Sequence, residues 1–125
     1  MGIPTTGISQ TPGAGDLANF VAADALGSQI ASTVYACPYG WFNFTVYGTF
    51  SGTVVLEKSY DGGTTWVGTH IPFTTSVVTT TAVASFQLFE PERGVLYRSN
   101  CTAYSSGTAN TRISGNGQMA MSAGY

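Results

Sequence analysis

The stretch EKSYDGGTTWVG, residues 57–68, lies between two β-rich runs, GTVVLEKSY and TTWVGTHI. Asp-Gly between such runs is a strong short-range hairpin signal. Asp61, Gly62 and Gly63 tolerate the positive φ that a tight turn demands. The Asp61 carboxylate can accept hydrogen bonds from N–H groups of its own turn, and Ser59 and Thr64 can do the same. Trp66 offers a large apolar face to pin the hairpin onto whatever lies beneath it. Ser59, Asp61, Gly63, Thr65 and Trp66 therefore read as a structural turn, and the fold as all-β.

Outward from this turn the β pattern continues. In WFNFTVYGTF, Phe42, Phe44 and Val46 point to one side of a strand and Asn43, Thr45 and Tyr47 to the other. From SQIASTVYAC onward Val, Ile, Thr, Tyr and Phe dominate. TTSVVTTTAVASFQLFE is long for one strand and reads as two, or as one with a bulge. EPERGVLYRSNCTAYSSGTANTRIS reads as a turn, a strand, a tight SSG loop and a return strand. Tyr97, Ser99, Cys101 and Ala103 share the face expected in the core, and Arg98, Asn100 and Thr102 the other. A last strand is expected through GQMAMSA. Seven or eight strands at this spacing make a single antiparallel β-sandwich, immunoglobulin- or fibronectin-like or jelly-roll. DLANFVAADALG admits two readings: a short helix capped by Asp16 and ended by Gly27, or a first strand from Ala25. Residues 1–15 are Gly, Pro, Thr and Ser with little to bury, and read as an extended arm. The expected division is an arm over residues 1–24 and a sandwich over 25–125.

The totals exclude several function classes. The chain has 125 residues, a one-domain length, and at 43% apolar it can bury a core. Only 8% is charged, with a net charge of −2 and four basic residues, against about a quarter charged in ordinary domains. Nucleic acid is not an expected partner, because its phosphates call for clustered Lys and Arg. No apolar run approaches a membrane span, so no membrane is expected either. MGIPTTGISQTPGAGD lacks the basic and apolar regions of a secretion signal. MGIPTT begins like a myristoylation site, a weak and common pattern. The expected place of synthesis is a cytoplasm. A small protein with so few charges fits one whose surface is covered by neighbours, or one that is extracellular or particle-bound.

Catalytic chemistry finds little support. His70 is the single histidine. Glu90 and Glu92 flank Pro91, but the turn context and Arg93 read as a solvated loop. The acids are scattered, with no metal-ligand spacing; no Ser or Cys stands beside a plausible base. There is no phosphate loop or dinucleotide fingerprint. The expectation is no enzyme, no catalytic residue, no cofactor and no metal. Cys37 and Cys101 are 64 residues apart, a spacing compatible with an inter-sheet disulfide; in a cytoplasmic product they are instead expected free and buried. Trp41, Tyr35, Tyr39, Tyr47 and Tyr60 cannot all be core. Such aromatics serve as sugar-stacking platforms or as protein–protein anchors.

Three resemblances carry the reading further. Ser59 to Trp66 fit S-x-D-x-G-x-T-W, which resembles the Asp-box of sialidases and other secreted β-proteins. In those families it is a folding element away from the catalytic centre. A sialidase would add further copies, an arginine cluster and a Tyr nucleophile. EPERGVLYRSNCTAYSSG resembles the last hairpin of fibronectin type III domains, which implies that Tyr97 is a tyrosine corner with its hydroxyl bonded back to nearby backbone. Finally YGTF, VVLEKS and DGGTTW, followed by EPERGVLYR and CTAYSSGT, resemble small proteins encoded in virion gene clusters of tailed phages. That likeness spans residues 47–114. It implies a structural virion protein without catalytic residues, most simply a capsid decoration (cement) protein made in the host cytoplasm. Its expected partners are the major capsid protein, other copies of itself, or both, with homo-oligomeric contacts in the particle. The alternatives are a tail or spike accessory protein, or a carbohydrate-binding module.

Overall fold

The computed structural model describes residues 19–36 and 40–116. The expected N-terminal arm over residues 1–15, Tyr39, Cys37 and the strand expected through GQMAMSA lie outside these residues.

The fold is all-β, with eight strands among the described residues: β1 (Asn19–Leu26), β2 (Gly40–Tyr47), β3 (Phe50–Ser59), β4 (Val67–Gly68), β5 (Thr79–Thr80), β6 (Ala84–Glu90), β7 (Leu96–Gly107) and β8 (Ala109–Asn116). They form two antiparallel sheets packed face to face, the expected β-sandwich. The first sheet has the order β1-β8-β2-β6. In the second, β3 pairs with β4, β5 and β7. Residues 30–35 run along β7, where Tyr35 N–H donates to Tyr97 O at 2.8 Å and Cys101 N–H to Ile30 O at 2.9 Å.

The alternation read in β2 is observed. Phe42, Phe44 and Val46 are buried, with Leu88 and Ile113 beside them from the same sheet. Val54, Leu56, Tyr97 and Cys101 face them from the other sheet. The rings of Phe42 and Tyr97 meet edge to face across the core, 5.1 Å between centroids. Burial of this apolar set is the main favourable term in folding.

Three expectations are corrected. The described part of DLANFVAADALG, from Asn19 on, is neither helix nor a strand starting at Ala25: β1 covers Asn19–Leu26 and pairs along its length with β8. The division at residues 24 and 25 therefore falls inside a strand. Its alternating apolar pattern gains more by completing the β8 edge than an isolated short helix can gain. Second, β7 and β8 do not form a hairpin, because they belong to opposite sheets. The chain stays on β3 to Gly107 and then crosses over. Third, Ala103 is exposed rather than core-facing. Thr53 pairs with Ala103 and Val54 with Cys101, so Thr102 is an extra residue on β7. Such a bulge reverses the in–out phase beyond it, and Tyr104 becomes the half-buried residue.

The β7–β8 crossing packs against the β2–β3 crossing. Thr108 N–H donates to Thr49 O at 2.9 Å. Gly107 has φ +83°, and a Cβ there would stand 2.2 Å from Thr49 O; Gly48 has φ +103°, and a Cβ there would stand 2.9 Å from Thr108 O. The separated YGTF and SSGT motifs are thus the two halves of one corner. Their glycines answer to close backbone approach.

Candidate functional site

The hairpin turn is built as expected. The Ser59 hydroxyl donates to Asp61 Oδ1 at 2.8 Å and accepts from Gly63 N–H at 2.9 Å. Asp61 Oδ1 also accepts from the N–H groups of Thr64 and Thr65, at 3.1 and 2.8 Å. Hydrogen bonds from Thr65, backbone first and then hydroxyl, together with Ser59, hold the Asp61 carboxyl down to about 2. Trp66 Nε1–H closes the turn onto Gly63 O at 3.0 Å. Arg98 lies 4.3 Å above the Trp66 ring while its Nε donates to Glu57 Oε1 at 2.8 Å. The Asp61 Oδ1 bonds all run within the turn, and Trp66 is capped by β7. Each of these bonds serves to hold the turn's own backbone.

Glu90 overturns the solvated-loop reading, since it is only 2% exposed. Its Oε1 accepts from the Tyr97 hydroxyl at 2.6 Å and from Lys58 Nζ at 3.4 Å, and its Oε2 from Glu92 N–H at 3.0 Å. The Tyr97 hydroxyl thus spends its proton on a carboxylate seven residues upstream, not on backbone. Burial opposes the Lys58 charge, but Tyr60 and Glu90 outweigh it and the ammonium pKa is raised. A buried charge needs such partners. The cluster ties the β6–β7 connection to β3.

Elsewhere, Tyr35 is buried and donates to Asp24 Oδ2, which also accepts from the Thr33 hydroxyl at 2.8 Å. Burial, then the Asp24 bond, raises the Tyr35 pKa. Cys101 is a buried free thiol whose pKa burial raises. His70 is exposed and bridges to Val77. Among the described residues, no three His, Cys, Asp or Glu side chains come together to hold a metal ion.

Two surface features stand out. One is the outer face of the first sheet. Trp41 and Phe89 are register partners on β2 and β6, 54% and 48% exposed, with ring centroids 5.1 Å apart and planes tilted by 48°. Next along the same face come the partners Asn43 and Gln87, with Ser114 of β8 across from Asn43. Arg112 follows, and its Nη1 donates to Ser114 Oγ at 3.0 Å. Trp41, Asn43, Gln87, Arg112 and Ser114, together with Phe42 and Gly115, line an open groove of about 350 Å³, and Phe89 flanks it through its contact with Trp41. The second feature is the loop Ile71–Ser76. Thr74 N–H donates to Ile71 O at 3.1 Å and Ile71 N–H to Ser76 O at 2.8 Å. Phe73 sits at its tip with φ +65°, fully exposed.

Of the aromatics singled out in the sequence, Trp41, Tyr47 and Tyr60 are exposed and Tyr35 is core. Phe89 and Phe73 were missed. Phe89 reads as one more apolar residue until its register with Trp41 is known. Phe73 follows Pro72, and Pro at the second position of a turn is the available signal. No family model, no curated protein and no solved structure matches this chain.

Proposed function

We propose that this chain is a non-enzymatic structural protein of a virion, most simply a capsid decoration protein that docks on the major capsid protein lattice. The observation that carries the reading, beside the sequence likeness, is Phe73. A type II turn with Pro at its second position favours Gly or Asn at its third. Phe in left-handed backbone costs about 1–2 kcal/mol. The loop's hydrogen bonds hold the turn, but none requires Phe at this position, and the ring is fully exposed. Strain retained on an exposed, hydrogen-bonded loop points to use by a partner. The loop lies within residues 62–89, a run without any Asp, Glu, Lys or Arg. The surface it meets is accordingly uncharged and apolar, as at the centre of a protein–protein interface.

The test is a copy count. Quantitative mass spectrometry of purified particles should place this chain in a small-integer ratio to the major capsid protein. A count matching a tail or spike component would assign it there instead; absence from purified particles would overturn the reading. On particles, Phe73→Ser should lower occupancy without lowering the melting temperature of the free protein.

A further inference from the structure

Beyond a place in a particle, we propose that the outer face of the first sheet binds a short oligosaccharide, with Trp41 as its stacking platform and Asn43, Gln87 and Arg112 as its hydrogen-bonding rim. The groove lies in the middle of a sheet, where backbone groups are already paired in the β1-β8-β2-β6 ladders. Recognition there must come from side chains, so strand addition by a peptide is excluded at this place. The side chains are of two kinds. Trp41 lines the groove half-exposed, with Phe89 in ring contact beside it. The side-chain amides of Asn43 and Gln87, paired in register, make no hydrogen bond among the described residues. Arg112 donates from Nη1 to Ser114 and forms no ion pair among them, so most of its fork of donors faces the groove unused.

A ligand for this surface needs an apolar face for the rings and a polar rim for two planar amides and a guanidinium. A purely apolar ligand would strip water from those three groups without replacing it, at a cost in free energy. A nucleic acid would stack equally well. It would find one arginine here, on a chain with net charge −2. A pyranose meets both demands, since its axial C–H groups form an apolar face and its equatorial hydroxyls donate and accept. Trp41 and Arg112 stand four residues apart along β2, counting Arg112 at the level of its partner Thr45. At a rise of about 3.4 Å per residue this is about 14 Å, longer than one ring. The groove volume falls within the range of small-ligand sites.

The free, full-length protein should be applied to an array of neutral and acidic oligosaccharides, with any retained glycan titrated by calorimetry. Binding by at least one short oligosaccharide is expected. Trp41→Ala should weaken it by about tenfold or more, as for a central aromatic anchor; Trp41→Phe should retain part of it. Asn43→Ala with Gln87→Ala should also weaken it. Asn43 and Gln87 are exposed, so the double variant should melt with the wild type; Trp41→Ala gives up its ring contact with Phe89, and its melting temperature, recorded beside that of Trp41→Phe, separates lost binding from lost folding. Failure of every glycan on the array to bind would overturn the proposal, as would binding that survives Trp41→Ala. Neither outcome bears on the copy count in particles.

Discussion

Replacing Tyr97 with Phe tests the buried Glu90 contact. The substitution removes one oxygen and keeps the ring, so the edge-to-face packing on Phe42 is retained and no large cavity opens. What is lost is a hydrogen bond of 2.6 Å from a buried hydroxyl to a carboxylate that is 2% exposed. Bonds to charged groups contribute about 1.5–3 kcal/mol. The carboxylate keeps Glu92 N–H at 3.0 Å and the longer Lys58 contact at 3.4 Å, neither of which compensates Oε1 fully. The expected loss is therefore about 2 kcal/mol, within the range for a bond to a charged group. For a chain of 125 residues that is a drop of roughly 8 °C in melting temperature. Urea unfolding followed by circular dichroism would measure it, with the slope unchanged because the buried surface is the same. Glu90→Gln keeps an acceptor while removing the charge, and the two changes combined should cost less than their sum. A Tyr97→Phe protein within about 0.5 kcal/mol of the wild type would refute the claim that this contact secures the β6–β7 connection.

The other predictions are more local. Ser59→Ala removes the acceptor for Gly63 N–H and the donor to Asp61, and should cost about 1–3 kcal/mol by chemical denaturation. Because the Asp61 pKa is lowered in the folded chain, its contribution is present above the ordinary carboxylate value of 3.8 and is lost as pH falls through about 2. Asp61→Asn should flatten that part of the melting temperature against pH, and an unchanged acid limb would contradict the assignment. The Cys101 thiol should resist alkylation in the native protein and react fully once unfolded; rapid native labelling would place it on the surface. Phe73→Asn, which tolerates positive φ, should leave stability unchanged or raise it by up to about 1 kcal/mol. A clear loss would mean that the Phe73 ring packs in the free protein.

The sequence by itself determined what is local. Asp-Gly-Gly between β-branched runs can hardly do other than turn, and Asp61 meets its partners within four residues. The alternation of Phe42, Phe44 and Val46 chose its face by period alone. Tertiary structure decided what depends on register and on which sheet a strand joins. Glu90 reads as a loop acid in one dimension, because its partners Lys58 and Tyr97 lie on strands that only the fold brings to it. The SSG stretch reads as a hairpin because Ser and Gly mark turns, yet the chain crosses between sheets there, a choice set by the other corner at Gly48 and Thr49. The phase of β7 changes at Thr102 because a bulge adds one residue to one strand, and an in–out pattern carries no marker for that insertion. The groove was legible only as Trp41. Gln87 and Arg112 join it, and Phe89 flanks Trp41, through pairings that span some 40 to 70 residues of chain, and sequence periodicity holds no information at that range.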